Sequence, residues 1–471
     1  MTPILLLLPT LLLAIILYQR LKPLPPGLNL AGPRRPATGL RFLADTTFVD
    51  GNNTLSSDQQ IFDAFFAAIN NARRFILIDV FLYNSFKGKA GQETRPLAEE
   101  LTACLLARKQ LYPTMTIIVI TDPINTVYNS LPSPHFARLQ EAGITVISTN
   151  LNRLRDSNPL YSCLWHLFFR PWSTGPSRLA ANPFDPGRIS LRSLLALLNF
   201  KANHRKVLIA DSNDTLLGLV TSGNPHGASS SHANVALTFD GPAVRDLLAS
   251  EQAVLAFSGG PEIVLPPELD IPDAATDTAT VQILTEKAIK KAALESINQA
   301  GEGMQVDLLM FYLTDRQLIR AMLEAHARGA AVRVLLDPNK DAFGRARNGL
   351  PNRQVGDELH RAGINVRWAD THGEQCHAKL LLVSGKEPAL LLLGSANFTR
   401  RNLDNFNLET DVAVRGRGDE KVFTDANRFF DALWYNQNGK QYSLDFQAYA
   451  DPSPWRKLLY RFLEATGLCT F

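Results

Sequence analysis

The sequence predicts an α/β protein made of two similar halves, each a mixed β-sheet flanked by helices, behind an N-terminal transmembrane helix. Three observations carry this expectation: an internal repeat, short aliphatic runs alternating with helical patterns, and an apolar leader closed by basic residues.

The repeat is the strongest of the three. FILIDVFLY (75–83), TIIVITDP (116–123), LQEAGITVI (139–147) and NHRKVLIAD (203–211) return in the same order as QVDLLMFYL (305–313), AVRVLLDP (331–338), LHRAGINVR (359–367) and CHAKLLLVS (376–384). The runs ending in Asp-Pro are short and rich in Val, Ile and Leu, as buried parallel strands are. Helical patterns precede them, PLAEELTACLLARKQ (96–110) and DRQLIRAMLEAHARG (315–329), and strand alternating with helix argues for α/β halves. Gly143 and Gly363 lie 220 residues apart but His204 and His377 only 173, so the first half carries an insertion of 47 residues, about 153–200. That insertion holds PLYSCLWHLFFRPW, six arginines and two aspartates, and fits a core helix and a membrane-interface element equally well.

The leader, Pro3 to Tyr18, is uncharged and is followed by Arg20 and Lys22. Its 16 residues reach about 24 Å as a helix, against about 30 Å of bilayer core. No basic region precedes it and no small-residue cleavage pattern follows, so a retained anchor is expected rather than a cleaved signal. Positive charge on its C-terminal side places the bulk of the chain in the cytoplasm. The expected division is an anchor (1–22), a tether (23–59), a first half (60–264), a linker rich in Pro, Asp and Thr (265–281), a second half (282–440) and an amphipathic tail (441–471). The tail's PSPWRKLLYRFLEATG (452–467) has helical apolar spacing and suits docking to the protein body or to lipid.

Composition narrows the function. Net charge is +3, with 45% hydrophobic and 20% charged residues, which describes a globular protein without the strong basic excess of a nucleic-acid binder. The four cysteines (Cys104, Cys163, Cys376, Cys469) form no CxxC pair, which argues against a zinc site or a disulfide framework and suits a reducing compartment.

Chemistry gathers at the end of each repeat. His204-Arg-Lys206 runs through Asp211 to Thr221-Ser222-Gly223-Asn224, and His377-Ala-Lys379 runs through Ser384 to Gly394-Ser395-Ala396-Asn397. Strand alternation puts His and Lys on one face, with Ser and Asn likewise on one face of the next strand. A phosphodiester needs such a set: cations and polar donors for its non-bridging oxygens, one neutral imidazole to attack phosphorus, and one protonated imidazole for the leaving oxygen. No convergent Asp/Glu cluster is present for a metal, so neither a metal nor a cofactor is expected. A single HxK says little; two at equivalent points of a repeat, each followed by Ser-x-Asn, say much more.

These paired motifs resemble the phospholipase D superfamily, over roughly residues 60–440. The leader, FDGPAV (239–244) and GSANFTRRNLDNFNLE (394–409) look like bacterial cardiolipin synthases and their phospholipase D-like relatives. The resemblance implies two lobes sharing one pocket, His204, Lys206, His377 and Lys379 as catalytic residues, and a transient phosphohistidine. It implies Ser222, Asn224, Ser395 and Asn397 at the phosphate, Asp211 as structural support, and Glu409 as the carboxylate orienting His377. Family habit makes His204 the nucleophile.

The departures are specific. Ser384 stands where the second motif has Asp, and Thr221 replaces a Gly. Aligning VALT (235–238) with VAVR (412–415) puts His232 opposite Glu409 and Asn234 opposite Asp411. The expected activity is phosphatidyl transfer of the cardiolipin synthase type on phospholipid substrates at a membrane, a bacterial inner membrane by the resemblance. Hydrolysis to phosphatidic acid is the alternative, with a nuclease and an inactive membrane scaffold behind it.

Overall fold

The protein was analysed as a computed structural model, which describes residues 2–86, 94–172, 178–269, 279–342 and 345–471. Of the expected linker, 270–278 lies outside the described residues, as does 173–177 of the insertion.

Two large mixed sheets carry the fold. The first contains β1 (Thr38–Val49), β2 (Leu55–Asp58), β3 (Phe75–Val80), β4 (Thr116–Thr121), β5 (Thr145–Ser148), β6 (Lys206–Ser212), β7 (Thr215–Thr221) and β8 (Asn234–Asp240), in the order β2-β1-β8-β7-β6-β3-β4-β5. The second contains β9 (Thr280–Thr285), β10 (Gln305–Met310), β11 (Ala331–Leu336), β12 (Asn365–Ala369), β13 (Lys379–Ser384), β14 (Ala389–Gly394), β15 (Thr410–Gly416) and β16 (Ser443–Asp445). Its order is β9-β15-β14-β13-β10-β11-β12-β16, with the short strand Arg35–Pro36 outside β9. Strands β3, β4 and β5 pair in parallel, as do β10, β11 and β12, and the remaining neighbours are antiparallel. One order therefore occurs twice, as the repeated blocks predict.

Continuous burial explains the aliphatic runs: every residue of β3 and of β14 is buried, because each sheet is covered on both faces. The inner faces meet in one core, where Val207, Ile209, Val235 and Leu237 join Leu391, Leu393, Val412 and Val414. Helices Ile61–Asn71 and Leu97–Leu111 cover the outside of the first sheet, with Phe65 and Leu101 fully buried. Lys287–Gln299 and Arg316–Ala327 do the same for the second. Helix Ala243–Ser258, which follows β8, reaches across to β9, and Lys421–Tyr435, which follows β15, reaches across to β1. That exchange locks the two sheets together.

The leader forms the helix Thr2–Leu21, but among the described residues no helix is long and apolar enough to cross a membrane. The expected transmembrane anchor is thus not borne out among the described residues; the apolar run Pro3 to Tyr18 ends at Gln19 and Arg20. Gln19 is buried, and the helix packs against Pro159–Leu164 of the insertion. The C-terminal helix Pro454–Thr466 docks on the body through Tyr460 and Glu464, which accepts a hydrogen bond from the Arg400 backbone N–H. Trp455, Leu458, Leu459 and Phe462 remain exposed on its other face.

Candidate active site

The two HxK segments meet at the junction of the sheets. His204 and His377 lie two residues before the first residue of the motif strands β6 and β13, and their ring centroids lie 6.3 Å apart. Crossed backbone pairing brings them together. The His204 N–H donates to Leu408 O at 2.9 Å and the Leu408 N–H donates to Ala202 O at 3.0 Å. On the opposite side the Ala233 N–H donates to Gln375 O at 3.0 Å. Each histidine segment is thus stitched to the entry of a strand of the other half, β15 for His204 and β8 for His377.

The surroundings repeat closely. Asp122 of the TDP block accepts the Asn203 N–H at 2.7 Å, and Asp337 of the LDP block accepts the Cys376 N–H at 2.8 Å. Burial pushes both carboxyls up to about 7. The Phe81 and Phe311 rings lie 4.9 and 5.1 Å from His204 and His377. Lys206 and Lys379 sit 5.2 and 5.3 Å above those same rings. Each ammonium donates to the carbonyl of its own histidine, at 2.5 Å for Lys206 and 2.6 Å for Lys379. The matching blocks FLY and FYL contain both phenylalanines, and the repeat is the signal that could have singled them out.

Partner chemistry fixes the tautomers. His377 Nδ1 lies 3.0 Å from Ser222 O, which can only accept, so Nδ1 carries the proton. His204 Nδ1 lies 3.0 Å from Glu409 Oε2 and donates to it. Nε2 of each ring then carries the free lone pair. Burial, reinforced by the lysines, holds both imidazoles well below their usual value. Burial also lowers Lys206 to about 7 and raises Glu409 to about 7.

Three expectations are corrected. Glu409 orients His204, the histidine of the other motif, and not His377, because the backbone pairing is crossed. Its second oxygen is held by the Asn402 amide. In the first half the counterpart of Glu409 is Asn234, not His232. Ser222 N–H donates to Val235 O as Ser395 N–H does to Thr410 O, so the residues just before them, Asn234 and Glu409, correspond. Asn234 Oδ1 lies 3.3 Å from His377 Nδ1. Finally, the serine hydroxyls do not face the cavity: Ser222 Oγ donates to Asn234 Oδ1 at 3.0 Å and Ser395 Oγ to Glu409 Oε2 at 2.5 Å. They brace the groups behind the histidines.

Asn224 and Asn397 do line the cavity, and the Asn397 carbonyl oxygen is buried without a partner. Asp211 lies away from it, accepting the backbone N–H groups of Arg73, Arg74 and Phe75 at the start of β3. Arg205, which points away from the pocket, is fully buried and donates to Glu251 at 3.1 Å and Glu286 at 2.8 Å. Among the described residues no cluster of three or more His, Cys, Asp or Glu is placed to hold a metal ion.

The cavity has a volume of about 430 Å³ and two kinds of wall. The imidazoles, Asn224, Asn397 and His232 belong to the polar part, together with the cations Lys201, Arg347 and Arg401. Phe184, Leu194, Leu197 and Leu198 of the insertion, with Phe200, make an apolar wall. The insertion is tied down beside it, where the Lys201 ammonium and the His166 ring both meet the buried carboxylate of Asp156.

Comparison with known proteins agrees with this geometry. The family described as "Cardiolipin synthase, PLD-like domain" matches residues 293–434. The chain is 30% identical over 131 residues to the mitochondrial cardiolipin hydrolase of Chlamydomonas reinhardtii, a match covering 27% of this chain and 51% of that protein. With the Xenopus laevis protein of the same name it is 31% identical over 140 residues, covering 29% and 60%. The chain thus spans about half the length of the curated relatives it matches. Among solved structures its fold is similar to phosphatidylserine synthase of Haemophilus influenzae Rd KW20, with a TM-score of 0.56 and 11% identity over 93% of this chain and 96% of that one. With two HxK motifs converging on one cavity and a PLD-like family matched over residues 293–434, the findings support the phospholipase D superfamily for this chain.

Proposed function

We propose that the protein is a phosphatidyltransferase of the cardiolipin synthase type, acting on phospholipids at a membrane surface through a phosphohistidine. The observation that carries this reading is the pair of imidazoles 6.3 Å apart, each with Nδ1 tied back and Nε2 free, beneath an apolar wall. One phosphodiester group fits between two such rings, and its acyl-bearing side suits the wall of leucines and phenylalanines.

In this mechanism His204 Nε2 attacks phosphorus and an N–P bond forms as the bond to the leaving alcohol breaks. Glu409 supports the positive imidazole that results. His377 enters as imidazolium. The anionic substrate raises its basicity, opposing the burial that lowers it in the empty site. It gives its Nε2 proton to the leaving oxygen, then takes a proton from the incoming alcohol, whose oxygen attacks phosphorus and frees His204. Lys206, Lys379, Asn224 and Asn397 hold the non-bridging oxygens.

Hydrolysis differs only in the acceptor, and the relatives named as hydrolases keep it as a second reading. Incubation with phosphatidylglycerol separates the two. Cardiolipin with free glycerol supports transfer, and phosphatidic acid alone supports hydrolysis. Turnover of single-stranded DNA with neither lipid product would overturn the lipid reading.

A further inference from the structure

Much of the exposed apolar surface outside the C-terminal helix gathers around one region. The N-terminal helix packs on Pro159–Leu164 and still leaves Leu7, Leu8, Leu13 and Leu17 in the open. The insertion adds Leu164, Phe168 and Trp172, which are 38%, 46% and 48% exposed and lie in or just beyond successive helical turns. Hydrogen bonds join the two pieces: the Arg155 guanidinium donates to Lys22 O at 2.8 Å, and the Lys22 ammonium to Asn152 O at 2.8 Å. Exposed apolar residues gathered on two packed helices mark an interaction site.

Its charge is one-sided. The insertion's six arginines face two aspartates, and one of those, Asp156, is buried against Lys201 and His166. Lys22 is lowered to about 8, first by burial and then by neighbours that include Lys201, Arg170 and Arg153, which locates these cations together. Arg192 is likewise lowered by burial and by Arg170. Aromatic residues interleaved with arginine beside an exposed aliphatic helix suit the headgroup level of an anionic bilayer. A second copy of this chain would have to bring an acidic face to match.

The face is also continuous with the cavity. Leu198, at the end of helix Leu191–Leu197, is 39% exposed and lines the cavity wall. We propose that the N-terminal helix and the insertion form one surface that docks, without crossing, on an anionic phospholipid bilayer. Leu164, Phe168 and Trp172 enter the interface, and Leu198 stands where a lipid passes from bilayer to cavity. The docking stands on this surface alone; the passage of substrate deepens the lipid reading above and rests on it.

Flotation of the full chain with vesicles tests the docking. The wild type is expected to float with vesicles of equal phosphatidylglycerol and phosphatidylcholine, less at high salt, and weakly with phosphatidylcholine alone. Leu164→Ser/Phe168→Ser/Trp172→Ser is expected to lower vesicle partitioning roughly tenfold or more. Its melting temperature and its turnover of a monomeric short-chain phosphatidylglycerol should match the wild type. Undiminished flotation of the triple variant overturns the proposal, as does a wild type that ignores vesicles and self-associates in light scattering. Should the triple variant melt early, quenching by brominated phospholipid decides: a loss of quenching in Trp172→Phe supports docking, and no loss overturns it. Loss of short-chain turnover by the wild type would instead sink the catalytic reading and leave the docking standing.

Discussion

The two HxK sites are nearly superimposable in chemistry and differ in what stands behind each ring. Both histidines have Nδ1 held by the other half, a lysine folded onto the preceding carbonyl, and a phenylalanine beneath that lysine. Behind His204, however, is the carboxyl of Glu409, and behind His377 are the Ser222 carbonyl and the Asn234 carboxamide. A carboxylate stabilises the imidazolium that forms when Nε2 bonds to phosphorus, whereas a neutral amide leaves its imidazole readier to give up a proton. In the proposed mechanism, one acidic side chain, present in one copy of a repeat and amidated and shortened in the other, divides nucleophile from acid–base.

The sharpest way to break that division is to remove the rings. His204→Ala should abolish turnover and covalent labelling together. His377→Ala should slow turnover by about 10²- to 10⁴-fold while still permitting a labelled enzyme when the leaving group needs no proton. Stopped-flow release of p-nitrophenol from an activated phosphodiester checks both, and equal loss of the burst in the two variants would refute distinct roles.

The residues between His and Lys differ as well: Arg205 is a buried cation bonded to Glu251 and Glu286, whereas Ala378 sits in the apolar core. Arg205→Ala should cost about 3–5 kcal/mol, because it strands two buried acids, while Ala378→Gly should cost about 1 kcal/mol. Urea denaturation measures both, and similar losses would erase this contrast.

Glu409→Gln should reduce kcat/KM by about 10- to 100-fold, the worth of a hydrogen bond to a charged group. It should also change the pH profile. Glu409, raised to about 7, loses its charge as pH falls through that value, and Lys206, lowered to about 7, loses its charge as pH rises. Wild-type kcat/KM should therefore peak narrowly near neutrality, and Glu409→Gln should flatten the acid limb. A profile in the variant identical to that of the wild type would contradict the assignment.

The smallest effect is the most discriminating. Asn234→Asp gives His377 the carboxyl it lacks, which favours the imidazolium and should move the basic limb of kcat to higher pH. Asn234→Ala should leave that limb in place. An unmoved limb in Asn234→Asp would show that the neutral backing is without consequence.

The sequence makes the double sheet legible because an aliphatic strand buried on both faces leaves a strong signature, and here it leaves it twice. The HxK pairs stand out for the same reason. The partner of Glu409 is not legible, since crossed pairing between residues 202–204 and 408 has no local trace. Asn234 is misaligned by two residues for a definite cause. The connection from Ser222 to Asn234 spans 12 residues and that from Ser395 to Glu409 spans 14. A slip of two in a strand preserves the inward–outward pattern, so VALT on VAVR looks as good as the true register. The serines mislead because β7 and β14 end before them, and strand alternation no longer governs where their hydroxyls point. The leader's partner is not legible either: its leucines suit a bilayer, and nothing local shows that its helix packs against Pro159–Leu164 of the insertion.

The central claim is that one phosphorus centre is shared by two rings, with the covalent bond on His204. Rapid acid-free quenching of His377→Ala with an activated phosphatidyl ester, followed by peptide mass spectrometry, measures this directly. A phosphatidyl adduct on the peptide containing His204, absent from His204→Ala, is the predicted result. An adduct on the His377 peptide of the wild type, or turnover with no adduct under any quench, would contradict it.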